Sequence, residues 1–473
     1  MKRSPQKPTA IADSAADLPL ETKSQMKAAE EAGAVRSGRL KIYDPAANNV
    51  ERFIKLLTER LSRPLVASFV SCVHCGLCAE SCHYSLARPD DPEMTPVYKA
   101  DQIRRIFKRH VDWTGRIAPR WVGAGSPRDD AELNRLKNIV FGTCSGCRRC
   151  TFNCPLGVDT AALIRFARGL LTELGIVPEG VFNVSRDEWE TGNQMGVREA
   201  DFLETLEWIR DDLRAELGRP NLEIPVDKTG CDFMYAINPR EIKFDPRPIA
   251  QAAKIFTLAG ESWTLPRWGW DQTNFGLFSG DDKLGGYLAK NLYDAAARLK
   301  ARRVVISECG HGYRSTRWEG FSWADCDQAL PIESVVVTLK RYIENGRIKV
   351  DPSRNPEPVT FHDSCNIARS GGILEEPRVV LRRVCSDFRE MHPNRTENYC
   401  CTGGGGLLSM AEYGPLRLEA AAVKAEQLKA TGAKLVCTMC HNCVDGLTDV
   451  IKHYKLDMRV VQVLELVDRA LVI

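Results

Sequence analysis

The chain has 473 residues, 44% hydrophobic and 27% charged, an ordinary globular composition with length for several cores. Lys+Arg 65 against Asp+Glu 62 leaves a formal charge of +3, too small a basic excess for a nucleic-acid partner. No run approaches the roughly 18 apolar residues of a membrane span, and "MKRSPQKPTAIADSAADLP" lacks the apolar stretch of an export signal.

Residues 1–47 are expected to be a loose polar segment. "NNVERFIKLLTERLS" (48–62) has helical apolar spacing and opens a largely helical stretch, 48–225. "DTAALIRFARGLLTELG" (159–175) is a predicted helix with Asp159 as cap and Gly175 as stop. Another spans 201–220 and ends at Gly218 and Pro220, and "NLEIPVDKTG" (221–230) is expected to be a linker. Beyond it, "FMYAI" (233–237), "RVVIS" (303–307), "PVTFH" (358–362) and "KLVC" (434–437) are predicted strands. Amphipathic segments alternate with them, which predicts an α/β region. That region contains an internal repeat, 226–345 and 346–473. "NFGLFSG…VVISECGHG" parallels "NYCCTGGGG…KLVCTMCHN", with Gly276 and Leu277 in place of the cysteine pair. The alignment sets Cys309 opposite Cys437 and Gly312 opposite Cys440. The first copy is thus expected to be a degenerate one. The predicted class is α+β: a mostly helical domain followed by a duplicated α/β cysteine-rich domain.

There are 18 cysteines. Without an export signal, metal or redox chemistry is expected in preference to disulfides. "CVHCGLCAESC" and "CSGCRRCTFNCP" both follow C-x2-C-x2-C-x3-C, the spacing of two-cluster ferredoxins. In such runs the fourth cysteine serves the other cluster. Cys72, Cys75, Cys78 and Cys154 are therefore expected on one [4Fe–4S] cubane. Cys82, Cys144, Cys147 and Cys150 are expected on a second. Zinc sites use paired C-x2-C units instead. His83 stands where a proline is expected after Cys82.

A third set comprises Cys365, Cys400, Cys401, Cys437 and Cys440. Cys365 follows one predicted strand and Cys437 closes another, and ligand sites form beyond the carboxyl ends of strands in α/β sheets. Gly403–Gly406 would let backbone approach a bulky inorganic group. His362 and Asp363 are candidate proton donors to a leaving thiolate. Cys309 is expected near the same crevice, as a substrate-facing thiol or a relic. "CTMCH" (437–441) also fits haem attachment, but that follows export. No Lys-Ser/Thr follows the glycine run, so it is not a phosphate loop. Cys231, Cys326 and Cys385 are expected to be ordinary small residues.

The pattern Cys…Cys-Cys…Cys-x-x-Cys resembles the "CCG" motif of the heterodisulfide reductase family. The resemblance runs from about residue 50 to the end. "FHDSCNIARSGG", "YCCTGGGG", "ECGHGYR" and "TGNQMG" look closest to the DsrK-type iron–sulfur subunit, with relatives in the Hmc and Tmc complexes. The resemblance implies a non-cubane [4Fe–4S] cluster on the third set, and electron exchange with a disulfide or trisulfide carried by a small protein or small molecule. It further implies a membrane cytochrome b-type partner, holding a cytoplasmic chain on the inner face of the membrane. Thr402 departs from the family's glycine, and Cys443 lies outside its five-cysteine pattern. The alternative is an electron-transfer subunit of a glycolate/lactate oxidase-type complex.

Overall fold

The computed structural model describes residues 33–326 and 330–473. Most of the segment expected to be loose lies outside the described residues. From Gly33 onward it is packed: Leu40 and Tyr43 are buried, and Tyr43 Oη donates to Asp130 Oδ2 at 2.7 Å. Apolar residues spaced along a polar stretch were enough to dock it.

The N-terminal half is helical. Helix Asn49–Glu59 buries Phe53 and Leu57. Helix Thr160–Thr172 starts where Asp159 accepts from Ala162 N, and the chain then turns at Gly175 with φ +73°. Helix Glu199–Leu217 ends on Gly218 at φ +60°, the left-handed conformation that glycine adopts cheaply. The stretch expected to be a linker instead packs, with Leu222 and Ile224 buried and Val226 bridged to Leu265.

Two four-stranded parallel sheets follow. The first has the order β2-β1-β3-β4, with β1 Phe233–Ala236, β2 Trp263–Thr264, β3 Val304–Ile306 and β4 Ile332–Ser334. The second has the order β6-β5-β7-β8, with β5 Val359–Phe361, β6 Phe388–Arg389, β7 Leu435–Thr438 and β8 Arg459–Gln462. The identical order displays the internal repeat as topology. Helices cover both sheets, as all-parallel sheets require. One continuous apolar core runs through both, from Phe233 and Val304 to Phe361, Leu435 and Val461. A second core joins the helical half to the second repeat, where Leu407, Met410 and Tyr413 pack with Leu163, Leu170 and Phe182. Arg168, 3% exposed, pins that junction. It donates to Val140 O, Phe278 O, Gly405 O and Cys144 O at 2.9, 2.9, 2.8 and 2.6 Å.

Candidate metal centre

The two ferredoxin-type runs fold against each other. Cys72, Cys75, Cys78 and Cys154 line one small cavity, and Cys82, Cys144, Cys147 and Cys150 line another. Each cradle offers four thiols and almost no other polar surface, which fits a cubane. Left-handed turns at His74 and Gly76, and at Gly146 and Arg148, wrap the backbone around the two sites. The outer cradle is near the surface, with Cys75 exposed. Cys144, Cys147 and Cys150 have thiol pKa values raised, Cys144 and Cys150 chiefly by burial and Cys147 chiefly by its contact with Cys400. His83, in the place of a proline, partly offsets this shift at Cys147 by a hydrogen bond.

The third set converges beyond the carboxyl ends of β5 and β7. Cys401 Sγ lies 3.3 Å from Cys443 Sγ, and Cys400 Sγ accepts from Thr402 N at 3.2 Å. Cys365 and Cys147 both hydrogen-bond Cys400, and Cys443 hydrogen-bonds both Cys401 and Cys440. Donation from these neighbours lowers the Cys400 and Cys401 thiols, and Cys443 brings Cys440 down to about 6. The same hydrogen bonds raise the Cys365 and Cys443 thiols, so protons are held unevenly across a nest of five buried sulfurs, three of them poised to release a proton to a metal. The chemistry of this donor set fits an iron–sulfur group.

Membership of the nest differs from expectation at one position. Cys437 does not join it. In a strand, alternate residues face opposite sides, so Leu435 and Cys437 enter the core beneath the sheets, near Cys385, while Val436 packs with the sulfur nest. Cys443, in the first turn of helix His441–Tyr454, stands in the nest instead, against Cys401 and Cys440. The register of the repeat shifts accordingly. Ala236 pairs with Ile306 and Phe361 with Cys437. Three residues beyond each lie Cys309 and Cys440, and each precedes the first residue of a helix. Cys309 thus corresponds to Cys440, and Gly312 to Cys443. The signal was present in the sequence, since Cys440-x-x-Cys443 has the same spacing as Cys437-x-x-Cys440.

Close backbone approach explains the glycines. A Cβ on Gly403 would stand 2.2 Å from Asn442 O, and one on Gly446 2.7 Å from Cys401 O. Thr402 occupies φ +63°, where glycine is favoured, and its buried hydroxyl has no partner among the described residues.

Asp363 is not available as a proton donor. Arg378, fully buried, grips both its oxygens at 2.9 and 2.8 Å, and Arg395 N donates to it at 2.7 Å. This pin fixes the loop that carries Cys365. His362 does approach the nest: a ring nitrogen lies within 4.8 Å of Cys401 and Cys443 Sγ. Burial, then the charge of Lys424, holds it neutral, well below the usual imidazole range. Asn398 Nδ2 reaches His362 Nδ1 at 3.1 Å, while Asn398 Oδ1 accepts from Lys424 Nζ at 2.8 Å. Burial brings the Lys424 ammonium down to about 7. Cys309 is buried, its Sγ 3.4 Å from His311 Nδ1, and the charge of Cys440 reaches it.

A cavity of about 500 Å³ opens between the helical half and the first repeat. Its wall includes Ser145, Asn366 and Gly405, with Arg60, Arg148, Arg165 and Arg314 elsewhere around it. Ser145 Oγ is 3.3 Å from Cys400 Sγ, so the cavity ends beside the nest.

Residues 68–158 match the 4Fe-4S dicluster domain family, and residues 359–447 match the cysteine-rich domain family. Over most of its length the chain is similar to iron–sulfur subunits of the heterodisulfide reductase type. An Hdr-like menaquinol oxidoreductase iron-sulfur subunit of Archaeoglobus profundus is 27% identical over 447 residues, covering 85% of this chain and 79% of the relative. One subunit of the dihydromethanophenazine:CoB–CoM heterodisulfide reductase of Methanosarcina mazei is 27% identical over 420 residues, covering 88% of this chain and 97% of the relative. Among the described residues no helix is long and apolar enough to cross a membrane.

Proposed function

We propose that this chain is the iron–sulfur catalytic subunit of a membrane-associated complex. In this reading it exchanges electrons between a quinone or cytochrome b partner and the sulfur–sulfur bond of a disulfide or trisulfide. The supporting observation is the convergence of Cys365, Cys400, Cys401, Cys440 and Cys443 on one buried nest that touches Cys147 of the ferredoxin-type half. A non-cubane [4Fe–4S] cluster on these thiols would supply iron to bind both sulfurs of a cleaved bond.

Thiol–disulfide couples take two electrons. Two protons accompany them when both thiolates leave as thiols. Cys147 contacts Cys400 directly, so the inner ferredoxin ligand group (Cys82, Cys144, Cys147, Cys150) adjoins the nest. The outer group, with exposed Cys75, faces a partner. Because His362 Nδ1 accepts from Asn398, the ring proton sits on Nε2, where the neutral ring can donate a hydrogen bond to a nascent thiolate. Lys424 stands behind Asn398 as the next protonated group. The 500 Å³ cavity gives a substrate sulfur its path, along Ser145 and Asn366.

The test is an iron count and an EPR spectrum on anaerobically purified protein after mild oxidation, with and without a small thiol. Two cubanes account for about 8 irons. About 12 are expected, with a thiol-sensitive signal that disappears in Cys401→Ser. Iron stopping at about 8, with no response to thiols, would hand the function to the electron-transfer reading.

A further inference from the structure

Arg369 lies in the loop after β5, four residues beyond Cys365, and is 6% exposed. Its Nε donates to Cys147 O at 2.8 Å. Its Nη1 donates to Thr396 O and Asn398 O, both at 2.8 Å. The guanidinium therefore ties three segments together: the Cys365 loop, the second ferredoxin-type run, and the stretch entering Cys400. These backbone bonds use Nε and Nη1. The buried Nη2 meets no hydrogen-bond acceptor at full geometry among the described residues, and the Cys147 sulfur is the side chain with which the guanidinium interacts. Burial alone would weaken the charge, but the sulfurs of Cys147, Cys365 and Cys400 outweigh burial and strengthen it. A buried cation with an open N–H group needs negative charge beside it. The sulfurs supply that charge, and they belong to two different metal-binding groups.

Resting on the reading above, we infer that Arg369 is a positioning and charge-balancing residue shared by the inner cubane site and the third site. Its fixed positive charge favours the reduced, more negative state of both. A nearby charge in a poorly solvated site shifts such an equilibrium strongly, and hydrogen bonds to sulfur raise cluster potentials. One residue would thus keep the two sites at matched potentials as electrons cross the Cys147–Cys400 contact.

The experiment is an EPR-monitored redox titration of the intact holoprotein, wild type against Arg369→Gln and Arg369→Lys, with iron counted in each. In Arg369→Gln at full iron content, the reduced-to-oxidised ratio at fixed poise should fall about tenfold at both sites, equivalent to about 59 mV for one electron. The outer cubane serves as the internal reference and should hold its ratio within about threefold. Arg369→Lys, which keeps the charge, should retain most of the wild-type ratio. Unmoved ratios in a fully loaded Arg369→Gln overturn the inference. So does loss of iron in both variants, since that describes a structural clamp. A wild type with only about 8 irons sinks the functional reading instead, and the inner cubane alone then tests Arg369.

Discussion

At the scale of single residues, the sulfur nest makes one sharp prediction. Cys443→Ser is expected to lose the third iron group while keeping about 8 irons in the cubanes. Cys437→Ser is expected to keep all of its iron. It should cost on the order of 1–3 kcal/mol for a buried hydroxyl in an apolar core, read as a lower denaturation midpoint. Reversed iron contents would mean that Cys437 turns out of the core when the cluster binds. A second prediction concerns pH. Burial raises Asp271 from 3.8 to about 7, against hydrogen bonds from Thr273 and Gln194 N. The folded chain keeps this proton up to about 7, while the unfolded chain releases it near 3.8. Between those values the unfolded state binds fewer protons, so stability falls as pH rises and levels off above about 7. The loss is at most on the order of 4 kcal/mol. Anaerobic denaturation midpoints from about pH 4.5 to 8 should show this slope in wild type and a flatter one in Asp271→Asn.

At the scale of elements, the site depends on how closely a loop and a helix approach. The Cys400–Gly406 loop lies against helix His441–Tyr454 because Gly403 and Gly446 present no side chains to each other's backbone. Gly403→Ala is expected to push Cys401 away from Cys443. It should cost several kcal/mol, as overpacking against backbone does, and reduce third-site iron with the cubanes intact. Iron analysis with cubane EPR would check this, and a fully loaded variant would contradict it. The strands legible in the sequence, β1, β3, β5 and β7, are the central ones, with continuous apolar runs. Those not legible there, β2, β4, β6 and β8, flank them as strands of two to four residues. Such strands owe their conformation to a neighbour more than to their own pattern.

At the scale of the whole molecule, Arg168 connects the helical half, the first repeat and the Gly405 turn through four carbonyls. Removing it leaves those acceptors unpaired in a buried junction. Arg168→Met is expected to cost roughly 3–5 kcal/mol and to lower third-site iron, although Arg168 touches none of the five thiols. Melting curves and iron counts on the intact chain would test this. A variant as stable as wild type would mean that apolar packing alone carries the junction. The same junction walls the cavity beside Ser145.

The sequence by itself determined the local chemistry. A C-x2-C-x2-C-x3-C run wraps its first three thiols around one face of a cluster, because their spacing is short compared with the group, and leaves the fourth to the other cluster. Alternating apolar runs and amphipathic segments likewise specified an α/β second half. Only the tertiary structure decided which thiols face one another. Strand pleat sends Cys437 into the core, and the helix start brings Cys443 to Cys401. Folding also sets Ser145 against Cys400 across 255 residues. Arg369 and Arg378 gave no sequence signal, since a buried arginine looks like any surface arginine until its carbonyl and carboxylate partners are in place. Asp363 looks reactive in the sequence for the same reason, and in the fold Arg378 holds both its oxygens. Spacing is a local property and can be read from the chain, whereas facing depends on packing between segments far apart in sequence.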